Sequence, residues 1–274
     1  MSLKKLGAAL AATTLALTLS ACGSGSSTNL QALKIGIKID QPGLGLKDGD
    51  TYSGFDVDVA TYIANKLGTT TDKITFIPAP SAQRETLIES GQVDLVVATY
   101  SITDARKEKV SFAGPYFIAG QSLLVRADDD SITGIDSLAG KKLCSVTGST
   151  SAQQIKDKVP GVNLQEFSTY SECVAALTAS AKTIDALTTD DTILAGFAAQ
   201  AANLGKVKLV GGTFSTENYG VGLKKGNTDL CTKVTEAIKA MIADGSWQKA
   251  VDTNLGPAGF TPRAGNPPTP AACS

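Results

Sequence analysis

The chain has 274 residues, 42% of them hydrophobic, with 25 basic and 26 acidic side chains and no histidine. That length suits one large or two small domains with real cores. The near-neutral charge argues against a general nucleic-acid binder, and without histidine neither a serine-histidine triad nor a histidine-bearing zinc site can form.

The first element is a leader. Lys4 and Lys5 precede an apolar run over residues 6–19, closed by Leu19-Ser20-Ala21-Cys22. A basic start, a short apolar stretch and small residues at the cut describe a secretory signal. The cysteine directly after Ala21 makes the site a lipobox, so residues 1–21 are expected to be removed and Cys22 to carry a thioether-linked lipid. A membrane-spanning anchor needs about 20 apolar residues, and this run is shorter. Residues 22–31, rich in Gly and Ser, read as a flexible tether. The four remaining cysteines, Cys144, Cys173, Cys231 and Cys273, lack metal-ligand spacing and suit disulfides outside the cytoplasm. Of three possible pairings, Cys144 with Cys173 and Cys231 with Cys273 is favoured; the first closes a loop of about 30 residues, for which chain entropy gives roughly 3 to 4 kcal/mol.

Beyond the tether, strand and helix patterns alternate. Residues 33–39 alternate apolar and polar as a strand. Phe55, Val59, Ile63 and Leu67 form a helical stripe that Gly68 can end. A strand over 73–77, a helix over 82–90 and a strand over 93–98 follow. After Asp128-Asp129-Asp130 the plan restarts: strands over 142–146, 163–167, 185–188 and 206–210, with helices over 150–158, 171–182 and 192–202. Such βα succession predicts two α/β units with mostly parallel sheets. A strand over 219–223 and helices over 228–244 and 246–255 are too few for a third core and should dock on the first unit. The chain then crosses twice, near residues 122–126 and 218–223, which makes a hinge. The expected lobes are residues 32–123 with 220–274, and 124–219; the Pro-rich residues 256–274 read as an irregular tail.

Side chains that suit a small carboxylate gather at the end of the third strand. Thr99, Ser101 and Arg106 lie there, and ligands in open α/β sheets sit outside the carboxyl ends of strands. Arg106 falls in the first turn of a helix after Thr103, where free N–H groups add partial positive charge. The plainer reading is a surface arginine beside Glu108. Ser149 and Thr150 suit an N-cap, and Arg84 could pair at the surface with Glu85 or Glu89.

These residues also carry a resemblance. The lipobox, KIGIKIDQPGLGL, SGFDVDVATYIANKLG and SAQRETLIESGQVDLVVATYSITDARKEKVSFAGPY resemble the polar amino-acid binding proteins of ABC importers (family 3 solute-binding proteins). CSVTGST and IDALTTD add a likeness to the glutamate-binding lipoproteins of actinobacteria. The resemblance covers residues 33–255. It implies an α/β, two-lobed periplasmic-binding-protein-like fold (type II) with a two-strand hinge and a ligand cleft between lobes. It further implies a monomeric binding protein rather than an enzyme, without cofactor or metal. Such a protein would sit at the outer face of the cell membrane through the lipid on Cys22 and deliver L-glutamate to a permease and its ATPase.

Carried over residue by residue, Arg106 with Thr99 and Ser101 would hold the ligand α-carboxylate, Ser149 and Thr150 would close on it from the second lobe, and Asp190 would accept the α-ammonium. Asp191 reads as a cap. Arg84, and Lys38 at the end of the first strand, match the basic positions that meet a distal carboxylate. Gln41, Pro42, Gly43 and Leu44 stand where many relatives place aromatic rings, leaving Tyr52 and Tyr100 as candidate walls. Glutamine, aspartate or asparagine remain alternative ligands, and a dehydratase-like cleft enzyme is the alternative of another class.

Overall fold

The computed structural model describes residues 30–274; the lipobox, Cys22 and most of the tether lie outside the described residues. The first lobe begins with β1 (Leu33–Ile37), a small hairpin sheet of β2 (Asp40–Gln41), β3 (Gly45–Asp48) and β4 (Thr51–Ser53), and α1 (Phe55–Lys66). It continues through β5 (Ile74–Pro78), α2 (Arg84–Glu89), β6 (Leu95–Val96), α3 (Asp104–Lys107) and β7 (Val110–Ala119). The second lobe holds β8 (Gln121–Arg126), β9 (Lys142–Val146), α4 (Thr150–Lys158), β10 (Asn163–Phe167), α5 (Tyr170–Thr178), β11 (Ala186–Asp190), α6 (Asp191–Ala198) and β12 (Val207–Val210). The chain returns through β13 (Glu217–Lys224), α7 (Thr228–Ala243) and α8 (Ser246–Asn254).

Each lobe is built on a five-stranded sheet, ordered β5-β1-β6-β13-β7 in the first and β10-β9-β11-β8-β12 in the second. Both are mixed rather than mostly parallel. The βα units pair parallel, as β1 does with β5 and β6 and β9 with β10 and β11. The strands that carry the chain between lobes pair antiparallel, β13 on β6 and β7 and β8 on β11 and β12. A strand that runs back across a hinge cannot keep the direction of the βα repeat, which is the reason for the difference.

The crossings lie a few residues earlier than the expected boundaries. Residues 122–126 belong to β8 in the second sheet and 218–223 to β13 in the first, so the chain changes lobe at Gly120 and returns within 211–216. The displacement comes from β7, a ten-residue strand buried along almost its whole length. Burial on both faces removes the alternation by which a strand is read.

In the first lobe α1 and α7 cover the sheet, and Phe55 sits edge-on to Phe117 and Trp247. The indole N–H of Trp247 donates to the Tyr116 carbonyl at 2.7 Å, which fastens α8 to β7 where the crossing begins. No helix among the described residues is long and apolar enough to cross a membrane.

Cys144 is joined to Cys173 and Cys231 to Cys273, with Cα–Cα distances of 5.7 and 5.9 Å. The first bond ties β9 to α5 across a separation of 29 residues, and both cysteines are buried. Replacing this pair by Cys144→Ala with Cys173→Ala is expected to lower the unfolding free energy by about 3 to 4 kcal/mol, measured by denaturant titration.

Candidate functional site

The lobe-1 side of the cleft is organised around the turn that ends β6. Thr99 has a φ of 45°, a left-handed conformation uncommon outside glycine. Its N–H donates to Asp56 Oδ2 at 2.8 Å, and the same carboxylate accepts the Tyr116 hydroxyl at 2.7 Å. Asp56, from the first turn of α1, is fully buried; burial pushes its carboxyl up to about 6 against those two hydrogen bonds. Thr99 Oγ1 also donates to Gln41 Oε1 at 3.2 Å. Nothing in the sequence motif around Asp56 marks it as the brace of this turn.

The next residue, Tyr100, carries both arginines. The Arg84 and Arg106 guanidinium carbons lie 4.4 and 4.8 Å from its ring centroid, a distance at which the ring face attracts cations. Arg106 is further held by donation from Nη1 to the Ser101 carbonyl at 2.8 Å and by Glu85, 3.3 Å from Nε. Glu85 also accepts the Tyr100 hydroxyl at 2.8 Å. Arg84 donates to the Ala98 carbonyl at 2.9 Å and the Ser81 carbonyl at 3.5 Å. It is buried, and among the described residues no ion pair includes it, so it is not the surface partner of Glu85 or Glu89. Burial, and then the Arg106 charge, pull its guanidinium down to about 10.

The second lobe contributes the start of α4 and the end of β11. Ser149 caps α4, accepting from the Ala152 N–H at 2.9 Å. The Gly148 carbonyl accepts from Arg106 Nη2 at 3.1 Å, and Thr150 Oγ1 lies 3.4 Å from Ser101 Oγ. Gly148 has a φ of 76°, and a Cβ there would stand 2.7 Å from the Ala82 Cα of the other lobe. Only glycine allows that approach, so the lobes meet backbone to backbone. Asp190 is buried and accepts the Tyr219 hydroxyl at 2.6 Å. Burial first, then the neighbouring Glu217 charge, raise its carboxyl well above the usual range. Asp191 holds the hinge, its Oδ1 accepting from the Gly120 N–H at 3.2 Å.

Lys38 closes the site from the end of β1. It is buried, 3.8 Å from Asp40 Oδ1 and 5.7 Å from the Tyr170 ring centroid. Burial pulls its ammonium down to about 8; Asp40 opposes this and the Arg84 charge reinforces it. Asp40 Oδ2 reaches across to the N–H groups of Tyr170 and Ser171 at 2.9 and 3.3 Å, capping α5 of the opposite lobe. Tyr170, which sequence reasoning does not single out, is buried between these groups; burial and then the Asp190 charge push its phenol up. The signal lies in Thr169 and Glu172, a capping box that starts α5 at Tyr170 rather than at Ser171. Tyr52 instead packs on Phe76 at 5.1 Å and lies 5.6 Å from Lys47, and neither contact involves the arginines.

The structure therefore gathers Lys38, Arg84, Thr99, Ser101, Arg106, Ser149, Thr150 and Asp190 at the junction of the two lobes. Beside them an interlobe cavity of about 650 Å³ is lined by Ser81, Glu85, Arg106, Gly148, Thr150 and Gln154. Among the described residues no cluster of cysteine or carboxylate side chains could hold a metal ion.

A comparison with known families matches residues 33–257 to the bacterial extracellular solute-binding proteins, family 3. The chain belongs to this family. It is an extracytoplasmic amino-acid-binding protein with the type II two-lobed fold, and a binding protein rather than an enzyme. The glutamate-binding protein GluB of Corynebacterium efficiens is 47% identical, over 92% of this chain and 91% of that protein. The ABC transporter glutamine-binding protein GlnH of Bacillus subtilis is 36% identical, over 84% and 89%. Among solved structures, an ancestral arginine-binding protein bound to glutamine superposes with a TM-score of 0.76 at 36% identity, covering 82% of this chain and 98% of that one.

Lys38 supplies a test of the cationic pocket. With its folded value near 8 against an ordinary 10.5, the ligand-free protein binds fewer protons than the unfolded chain between those values. Stability therefore rises with pH across that window. An anion placed beside Lys38 restores the ammonium, so binding an acidic amino acid at about pH 9 takes up protons. Calorimetry in buffers of different ionisation enthalpy is expected to show this uptake, and Lys38→Met to reduce it to the part due to the ligand's own α-amino group.

Proposed function

We propose that the protein captures L-glutamate in the interlobe cleft and delivers it to the permease and ATPase of an ABC importer. It would act as a monomer held at the outer face of the cell membrane by lipid on Cys22. Arg106, with Thr99 and Ser101, takes the α-carboxylate as a planar bidentate donor. Ser149 and Thr150 close on the same group with the start of α4. Asp190 accepts the α-ammonium, which offsets the cost of a buried carboxylate.

The observation that carries glutamate, rather than an amino acid in general, is Arg84. The buried guanidinium donates only to carbonyl oxygens, packs on an aromatic ring and forms no ion pair among the described residues. The nearby Glu85 charge that acts on it is already paired with Arg106, and under-compensated buried charge is costly. Lys38, close enough for its ammonium to be lowered by Arg84, adds a second cation to the same pocket. A distal carboxylate satisfies both; the neutral amides of glutamine and asparagine do not. Aspartate has the charge but is one methylene shorter. Two cations also oppose arginine as ligand.

The GluB relative, named for glutamate at 47% identity, supports this choice, and the GlnH relative, named for glutamine at 36%, keeps glutamine as the reading to test against. Refolded, ligand-free protein titrated calorimetrically with glutamate, glutamine, aspartate and asparagine decides between them. Arg84→Met is expected to weaken glutamate binding by about 2 to 5 kcal/mol, the cost of removing one partner of a buried charge pair, and to change glutamine binding far less. Unchanged glutamate affinity in this variant would remove the basis of the assignment.

A further inference from the structure

The Pro-rich C-terminal segment is not irregular in its placement. It runs antiparallel along the outer edge of β7: the Phe112 N–H donates to the Ser274 carbonyl at 2.7 Å, and the Ala271 N–H to the Gly114 carbonyl at 2.9 Å. Further along, Asn266 both accepts from the Ile118 N–H at 2.9 Å and donates to its carbonyl at 2.8 Å. The edge of the first sheet is thereby covered. The Cys231–Cys273 bond ties the far end of the segment to α7.

At its near end the segment delivers Arg263 to the hinge. Nη1 donates to the Ala119 carbonyl at 3.1 Å and to the Ser215 carbonyl at 2.9 Å. Ala119 is the last residue of β7, directly before the outgoing crossing at Gly120, and Ser215 lies on the returning segment just before β13. One guanidinium nitrogen therefore holds both crossings. The second lobe grips the same place, with the Asp191 N–H donating to the Gly120 carbonyl at 2.8 Å and the Gly120 N–H donating back to Asp191 Oδ1. The Arg263 charge also opposes the upward push of burial on the Asp191 carboxyl. A Cβ on Gly120 would stand 2.5 Å from Arg263 Nη1 and 2.9 Å from the Ser215 carbonyl oxygen, so the three groups are in close register.

We propose that Arg263 is a positioning residue for ligand capture: carried to the hinge by the disulfide-tied tail, it fixes the spacing of the two crossings and holds the lobes closed. Hinge closure concentrates backbone rotation in a few residues, here Gly120 and 211–216. The crossings also bond to each other, the Phe214 N–H donating to the Gln121 carbonyl and the Gln121 N–H to Ser215 Oγ, both at 2.9 Å. If rotation at the hinge carries 211–216 away from β7, the Ser215 carbonyl leaves the reach of Arg263 while the Ala119 carbonyl stays with it. Arg263 cannot follow freely, because its segment is pinned to β7 and to Cys231. Closed lobes therefore gain the charge-assisted hydrogen bond to the Ser215 carbonyl, which does not touch the ligand. The proposal rests on the cleft being the amino-acid site, and its first readout does not need the ligand.

Solution X-ray scattering of ligand-free protein compares the parent with Arg263→Ala, and rapid-filtration release of bound radiolabelled glutamate compares their dissociation rates. The variant is expected to have a larger radius of gyration without ligand and to release glutamate about tenfold faster, with association changed by less than about twofold, because affinity changes among variants fall mainly on dissociation. Arg263→Gln, which keeps an amide nitrogen with two N–H donors on a shorter, uncharged side chain, should fall between the two and carries the test if the alanine variant does not fold. A lowered melting temperature with unchanged scattering and unchanged release would assign Arg263 to stability alone and overturn the proposal. If the parent binds no glutamate, the functional reading fails while the ligand-free scattering still decides the role of Arg263.

Discussion

Two guanidinium groups share one aromatic ring while only one of them pairs with a carboxylate, and much of the cleft is arranged to tolerate this. Tyr100 presents its face to Arg84 and Arg106, and its hydroxyl joins Arg106 on Glu85. That leaves Arg84 with carbonyl oxygens. Like charges this close repel, and burial weakens the screening that water would supply. The arrangement holds because the backbone supplies it with oriented dipoles. Ala98 gives its carbonyl to Arg84 and Ser101 to Arg106, and both belong to the turn that Asp56 braces at Thr99. The strained turn, the buried Asp56 and the two cations are parts of one electrostatic solution.

Carboxylates from both lobes answer that positive cluster with the opposite sign, Asp190 from β11 and Glu217 from β13. Asp190 and Glu217 are buried near each other, an arrangement as unfavourable for carboxylates as the arginine pair is for cations. Glu217 is satisfied by hydroxyl and amide donors, including Thr150 at 3.1 Å and Gln154 at 2.6 Å, both from α4 of the opposite lobe. Asp190 has Tyr219, again from the opposite lobe. Each lobe thus stabilises charges of the other when they meet, and separation would expose groups whose partners lie across the cleft. On the proposed reading a zwitterion with an added carboxylate fits between them, its ammonium toward Asp190 and its two carboxylates toward the arginines.

What could be read from the sequence follows from where information is local. The βα units of both lobes were legible because each carries its own periodicity and its own stops, such as Gly68 and Gly91. Arg106, Ser149 and Thr150 could be placed because helix starts are announced by Thr103 and Ser149. The hinge positions were misplaced by a few residues because β7 is apolar on both faces and no turn residue other than Gly120 separates it from β8. Asp56, Tyr170 and Glu217 escaped notice for a different reason. Their roles depend on partners 43 and 130 residues away, as with Thr99 and Asp40, or across the cleft, as with Thr150, and no local pattern records such distances.

The absence of aromatic residues after β1 also becomes intelligible. Gln41, Pro42 and Gly43 occupy that loop, and Gly196 of α6 packs against it so closely that a Cβ there would stand 2.1 Å from the Pro42 carbonyl oxygen. An aromatic ring at the tip would prevent this approach and hold the lobes apart. Rings are supplied instead from within each lobe, Tyr100 from the first and Tyr170 from the second, and each has a cation against its face. A ring already engaged by a protein cation offers little to a cationic ligand. On the proposed reading, the residues that let the lobes close so tightly leave the aromatic surfaces of the cleft to hold Arg84 and Lys38, which suits an acidic amino acid rather than a basic one.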